Sequence, residues 1–269
     1  MRQYIRLLVM LLLLGITTAA MAESHPWQGK RIGYLGDSVS DPNSYNGTIK
    51  HYWSYLSEYL STKPIVAACS GYEWWHLPEL ADKMYAEVGQ DIDGIIVFLG
   101  TNDFNSGVPI GEWYEETTVQ YPVARRGERK QVKALKHRTL VMDEGTLKGR
   151  INIGMKKLKQ MWPEKQIILL TPLHRAIADF GDRNYQPDES YQNPCGEYVD
   201  AYVDAIKEAG NVWAVPVIDL NALSGLYPML NEHTRYFYDA DKDRLHPNDK
   251  GHERIAKVIL QQLIVLPVY

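Results

Sequence analysis

Arg31-Ile32-Gly33-Tyr34-Leu35-Gly36-Asp37-Ser38 is the stretch on which the fold turns. A short apolar run passes directly into Gly-Asp-Ser, a turn sequence, as a buried strand does when it delivers a polar loop at its C-terminal end. Residues 64–68, 92–99, 166–171 and 212–218 repeat the form: each is short, β-branched or apolar, and bounded by Gly, Pro, Asp or Ser. Pro216 marks the last of them as an edge strand. Between the runs, residues 51–60, 77–88, 143–162, 197–209 and 249–263 carry apolar side chains at three- and four-residue spacing, the mark of amphipathic helices. The alternation predicts an α/β fold in which one five-stranded, mostly parallel sheet is covered on both faces and joined by right-handed crossovers. There is no internal repeat and no Ser/Gly/Pro-rich linker, so residues 23–269 read as one domain.

Composition narrows the functional classes. The chain has 269 residues, 45% hydrophobic and 23% charged, which excludes disorder, collagen-like structure and a disulfide scaffold. With 29 Lys+Arg against 33 Asp+Glu it has no global basic field, so no nucleic-acid partner is expected. Arg2 and Arg6, the apolar run over 7–16 and Ala20-Met21-Ala22 together predict a secretory signal peptide over residues 1–22. The apolar run is short for a bilayer span, so the expectation is a periplasmic or secreted protein without a stable membrane anchor after cleavage; an uncleaved anchor is the alternative. In an exported protein Cys69 and Cys195 either form a disulfide or remain two partly buried thiols. No Cys-x-x-Cys, phosphate-cradling Gly-x-x-x-x-Gly-Lys or dinucleotide fingerprint is present. His252-Glu253 begins a zincin-like string, but Ala256 stands where its second His belongs, so neither metal nor cofactor is expected.

Residues 104–142 break the rhythm, far exceeding the usual strand-to-helix loop. Within them, residues 115–121 and 130–141 alternate as a β-hairpin would, with Gly127 near the turn. Its centre is basic: Arg125, Arg126, Arg129, Lys130, Lys133, Lys136 and Arg138 meet only Glu128. This insert reads either as a solvated ribbon or as a lid that favours anionic substrates.

Ligands of open α/β sheets bind outside the carboxyl ends of the strands, and reactive residues collect there. They are Gly36-Asp37-Ser38, Ser70-Gly71, Gly100-Thr101-Asn102-Asp103 and, before the last helix, Asp243-Arg244-Leu245-His246-Pro247. A serine hydroxyl is a poor nucleophile until a neutral imidazole takes its proton, and the imidazole needs a carboxylate to fix its tautomer. Ser38, His246 and Asp243 are the candidates for those three roles. The Asp-x-x-His spacing places the last two on one tight turn, and Asn248 or Asp249 caps the helix that follows. The backbone N–H groups of Ser38 and Gly71 and the side-chain amide of Asn102 are the candidate oxyanion donors; lacking a Cβ, Gly71 allows close approach. No Gly-x-Ser-x-Gly occurs, which removes the nucleophile-elbow class of α/β-hydrolases.

In order and in placement, these four blocks resemble those of the SGNH (GDSL) hydrolase superfamily, from residue 31 to about residue 260. The resemblance implies a flavodoxin-like three-layer α/β/α sandwich and metal-free esterase chemistry on Ser38, Gly71, Asn102 and His246. Val39-Ser40 replaces the Leu of the strict Gly-Asp-Ser-Leu form, and the insert is not part of the pattern. The insert and Thr171-Pro172-Leu173-His174-Arg175 make the chain similar to secreted SGNH proteins of gut-type bacteria associated with carbohydrate breakdown. Asp103, Tyr72, Trp74 and His174 are candidate substrate contacts; the aromatics among them, with Trp75, Trp113 and Tyr114, serve equally well as core. The expected function is a serine esterase that deacylates, and in particular deacetylates, a small-molecule or oligosaccharide ester. A lipid or thioester hydrolase, an acyltransferase and a carbohydrate-binding protein without turnover are the alternatives.

Overall fold

The computed structural model describes residues 25–269. The signal peptide read over residues 1–22 lies outside the described residues. Five strands form the central sheet: β1 (Arg31–Gly36), β2 (Lys63–Ala68), β3 (Gly94–Phe98), β4 (Gln166–Leu170) and β5 (Val217–Ile218). Their order is 2-1-3-4-5 and every pairing is parallel. This is the flavodoxin-like arrangement, whose switch point lies between β1 and β3.

Side-chain alternation explains why the strands read as unbroken apolar runs. Ile95, Val97, Ile167 and Leu169 enter one core cluster, while Ile96, Phe98, Ile168 and Leu170 enter the other. Both faces are therefore covered. Helices α2 (Leu77–Val88), α3 (Leu147–Met161) and α4 (Val199–Trp213) cover the first face; α1 (Tyr52–Leu60) and α5 (Asp249–Leu263) cover the second.

The expected strand over 212–218 is strand only at its last two residues: 212 and 213 belong to a helix and 214–216 are irregular. Helix α4 continues to Trp213 and ends at Ala214, which takes a left-handed φ of 51°, leaving only Val217 and Ile218 paired to β4. Val212 and Trp213 have strand-forming side chains, but both pack against the first core cluster, and Trp213 Nε1 donates to Asn152 Oδ1 at 2.9 Å. Tertiary packing overrides their β propensity. Strand β5 is an edge of the sheet, where Pro216 places it.

The insert forms the expected antiparallel hairpin, Tyr114–Val123 against Gln131–Leu140, with Tyr114 opposite Leu140 and Val123 opposite Gln131. Its root is anchored by Trp113 Nε1 donating to Glu208 Oε2 at 2.7 Å and by Asn152 Nδ2 donating to the carbonyls of Trp113 and Val141. Most residues beyond the root are exposed. A second sheet lies outside every run read as a strand. Phe237–Asp239, Asp243–Pro247, Ala178–Asp179 and Tyr185–Gln186 pair antiparallel in that order. Cys69 and Cys195 are free thiols, not a disulfide, and Cys195 is exposed beside Asn193. Among the described residues no helix is long and apolar enough to cross a membrane.

Candidate active site

Strand β1 ends on Gly36, where an added Cβ would sit 2.5 Å from Ser40 Oγ and 3.0 Å from the carbonyl oxygen of Phe98. Only glycine lets the chain turn there. The N–H groups of Ser40 and Asp41 both donate to the Asp37 carbonyl at 2.9 Å, and Val39 N–H donates to Asp37 Oδ1 at 3.0 Å. Ser38 stands on this braced turn with its Oγ 2.8 Å from His246 Nε2.

His246 Nδ1 lies 3.0 Å and 3.1 Å from the two carboxylate oxygens of Asp243. A carboxylate only accepts, so Nδ1 carries the proton and Nε2 is left to accept from Ser38. Asp243 Oδ1 also accepts from the backbone N–H of Leu245 and of His246, at 3.1 Å each. The pair therefore sits on the strand Asp243–Pro247 of the second sheet, locked by the carboxylate itself, and not on a free turn. Asn248 then caps α5, accepting from Lys250 and Gly251 N–H. Burial works to raise the Asp243 pKa, but the hydrogen bond and charge of His246 and the hydrogen bond from Tyr45 outweigh it, so the carboxyl lies below its usual range.

Tyr45 is a partner the sequence reading missed. Its hydroxyl donates to Asp243 Oδ2, and its ring packs edge-on to His246 at 5.2 Å and against Tyr238 at 3.9 Å. Tyr45 and Asn46 hold φ of 52° and 56°, a left-handed turn that non-glycine residues rarely adopt. The turn composition of Pro42-Asn43-Ser44-Tyr45-Asn46-Gly47 was the available signal.

Facing Ser38 across the cleft are Gly71 and Asn102. Gly71 has φ of +83°, and a Cβ there would meet nothing within 4 Å. Backbone conformation, not close approach, is what calls for glycine. Ser70 ties this loop to the serine turn, donating from its N–H and Oγ to Asp41 Oδ2 at 2.9 Å each. Asn102 Nδ2 donates to the Tyr72 carbonyl at 2.9 Å, which fixes the amide and leaves its second hydrogen for the cleft. Among the described residues no group accepts from the backbone N–H of Ser38 or Gly71.

The four substrate-contact candidates do not line this cleft. Trp74 is fully buried in the first core cluster. Asp103 is equally buried: it accepts from Trp74 N–H at 3.0 Å and from Arg150 Nη1 at 2.9 Å, so it braces the loops of Gly71 and Asn102 from behind. Burial pushes its pKa up to about 6 despite Arg150. Tyr72 stacks on His76 at 4.0 Å and donates to Glu79, offering the site only its backbone carbonyl. His174 pairs with Glu189 at 2.8 Å, a hydrogen bond that raises its pKa. The actual walls are Ser44, Tyr45, Phe180, Asn184, Gln186 and Leu245, around a cavity of about 260 Å³. Gln186 is held by the buried Arg175, which donates to its Oε1 at 2.6 Å. No residue of the hairpin insert lines this cleft.

Asp37 carries a consequence for stability. Its carboxyl is buried, which pushes its pKa up to about 7 from an ordinary 3.8. The native state thus holds this proton more tightly than the unfolded chain, and stability falls as pH rises from about 4 towards about 7. Asp37→Asn is expected to raise the Tm at pH 8 and to leave it little changed at pH 4, as measured by calorimetry. A lower Tm at pH 8 would assign the carboxylate a stabilising role instead.

Residues 34–254 match the profile of the GDSL-like Lipase/Acylhydrolase family, and the chain belongs to that family. It is an ester hydrolase. Among solved structures, a Lactobacillus plantarum protein superimposes with a TM-score of 0.66 at 22% identity, covering 88% of this chain and 97% of that one. A possible lipase from Chitinophaga pinensis gives 0.63 at 20%, covering 87% and 97%. A catalytic mutant of an acetylxylan esterase from Geobacillus stearothermophilus gives 0.52 at 17%, covering 88% and 94%. At these identities the likeness is one of fold. No curated protein matches the chain.

Proposed function

We propose that the protein is an exported serine esterase that removes a short acyl group, acetyl above all, from a carbohydrate. The observation that carries the reading is the unbroken chain Ser38 Oγ, His246 Nε2, His246 Nδ1, Asp243, opening on a small cleft in which Ser44, Asn184 and Gln186 stand beside Tyr45, Phe180 and Leu245. Ser38 Oγ attacks the ester carbonyl as its proton passes to His246 Nε2. The oxyanion is met by the N–H groups of Ser38 and Gly71 and the free hydrogen of Asn102. His246 then returns the proton to the departing sugar hydroxyl, leaving an acyl-enzyme on Ser38. Water repeats the path and releases the acid.

Size supports the substrate class. At about 260 Å³ the cleft is smaller than the range of about 300–1,000 Å³ typical of sites for drug-sized ligands, and Phe180 and Leu245 are its apolar walls. A long acyl chain would need an apolar channel. The acetylxylan esterase among the structural neighbours acts on an acetylated polysaccharide, in keeping with this reading. Acetylated xylo-oligosaccharides, assayed beside p-nitrophenyl esters of rising chain length, test it. Acetate release from the sugars, with rates falling beyond the shortest esters, is expected; rates that rise with acyl length would make the enzyme a lipid hydrolase.

Asn102→Ala is expected to lower kcat on p-nitrophenyl acetate by about 10²–10³, the usual cost of one oxyanion donor. An unchanged kcat would assign the hole to the two backbone donors alone. Export rests on the leader read at residues 1–22; a mature protein beginning at Glu23 in the periplasmic or culture fraction is the expected result, and an intact Met1 form in the cytosol would reject it.

A further inference from the structure

Next to the cleft at Ser38 lies a second depression of about 490 Å³ that the reaction does not use. The two share a wall: Asn184 and Gln186 line both. The second continues past Tyr185 and Arg183 to Gln192 and Asn105. What it offers a ligand follows from which groups are already engaged. Gln186 is fixed on both ends, its Oε1 accepting from Arg175 and its Nε2 donating to Asn184 Oδ1 at 3.0 Å. That orients Asn184 so its amide hydrogens are unclaimed by any acceptor among the described residues. Gln192 donates to the Gly196 carbonyl and keeps its own oxygen available. The side chain of Asn105, the guanidinium of Arg183 and the hydroxyl of Tyr185 have no hydrogen-bond partner among the described residues. The Tyr185 side chain is large, aromatic and 60% exposed.

A surface of this make-up has a narrow range of suitable ligands. Neutral amides supply donors and acceptors together, matching hydroxyl groups that are themselves both. An exposed tyrosine ring adds a flat apolar face with a polar tip, suited to the C–H face of a pyranose. Arg183 is the single charged lining residue, so the groove offers nothing to a cation.

We propose that this groove binds the sugar units adjoining the one that is deacylated, so that the substrate is an oligosaccharide or polysaccharide chain and not a single acylated sugar. The proposal rests on the carbohydrate reading given above. The 260 Å³ cleft takes the acyl group and the ring that bears it, the shared wall of Asn184 and Gln186 marks the glycosidic link, and the 490 Å³ groove receives the next units.

The test compares acetate release from acetylated xylo-oligosaccharides of one to four units by the wild-type protein, Tyr185→Ala and Tyr185→Trp. The wild type is expected to gain about tenfold in kcat/KM between one unit and four, a difference of about 1.4 kcal/mol in transition-state binding. Tyr185→Ala should lose that gain through KM, and Tyr185→Trp should restore it. Hydrolysis of p-nitrophenyl acetate, measured on each variant, should not change, which also reports that the variants are folded. Equal kcat/KM for all four lengths, or a loss in Tyr185→Ala as large on one unit and on p-nitrophenyl acetate as on four, overturns the groove while leaving the esterase reading intact. Turnover of p-nitrophenyl acetate with no acetate released from any sugar overturns both the groove and the carbohydrate reading.

Discussion

Ser38→Ala is expected to lower kcat for p-nitrophenyl acetate by about 10⁴–10⁶ and to abolish labelling by a fluorophosphonate probe. The expected loss is large because, in the proposed mechanism, the serine oxygen is the atom that forms the acyl bond. Among the described residues the other serines near the cleft are engaged elsewhere: Ser40 Oγ is buried against the Tyr52 hydroxyl at 2.9 Å, Ser44 Oγ faces His51 and Ser70 Oγ donates to Asp41. The oxyanion donors survive the substitution, so a residual rate above that of water is expected to persist. Ser38 is partly exposed at the edge of a turn whose hydrogen bonds run through backbone atoms and Asp37, so the variant should keep its Tm. Full labelling of the variant would show that another residue is the nucleophile.

The parts of the fold legible in the sequence are those whose side chains obey one rule along their length. Strands β1, β3 and β4 are buried on both faces, and β2, at the sheet edge, packs Ile65 and Val66 on opposite faces; each appears as a short apolar run between turn residues. Helix α5 spans the residues its pattern predicts because Asn248 caps it and its apolar stripe meets a single core. The second sheet follows no such rule. Two of its strands are two residues long, too short for alternation to register, and Asp243-Arg244-Leu245-His246-Pro247 has the composition of a loop. Its pairing with Ala178 and Phe237 is a long-range fact.

The candidate site divides along the same line. Ser38, Gly71, Asn102, Asp243 and His246, which the structure brings to one cleft, are legible as a set because each follows a strand end or precedes a helix, and the order of such points is written in the chain. Residues that act through the site from elsewhere are not. Tyr45 reaches Asp243 only because the backbone turns left-handed at Tyr45 and Asn46, and Arg175 reaches Gln186 from inside the protein. The candidate contacts that do not line the cleft have the opposite cause. Trp74 and Asp103 neighbour the oxyanion residues in sequence, yet helical and turn geometry sends their side chains inward, where Asp103 accepts from Trp74 N–H and from Arg150.

The second large loss of activity is expected for Asp243→Asn. An asparagine there can keep its carbonyl oxygen where Asp243 Oδ1 accepts from the N–H groups of Leu245 and His246, so the local turn survives. Its NH2 group must then take the place of Oδ2, facing His246 Nδ1 and the Tyr45 hydroxyl. An NH2 group donates, so Nδ1 has to accept and the imidazole proton moves to Nε2, the atom that must take the proton of Ser38. With the base in the wrong tautomer and the imidazolium no longer stabilised, kcat is expected to fall about 10⁴-fold. The same substitution has a signature in stability. Because the folded pKa of Asp243 is depressed, the carboxylate stabilises the native state above its unfolded value near 3.8, and that contribution disappears as pH falls through the folded value. Between pH 5 and pH 3 the wild-type Tm should therefore fall further than that of Asp243→Asn. A kcat within tenfold of wild type would remove Asp243 from the catalytic set, whereas parallel Tm curves would leave it there and deny only its stabilising charge.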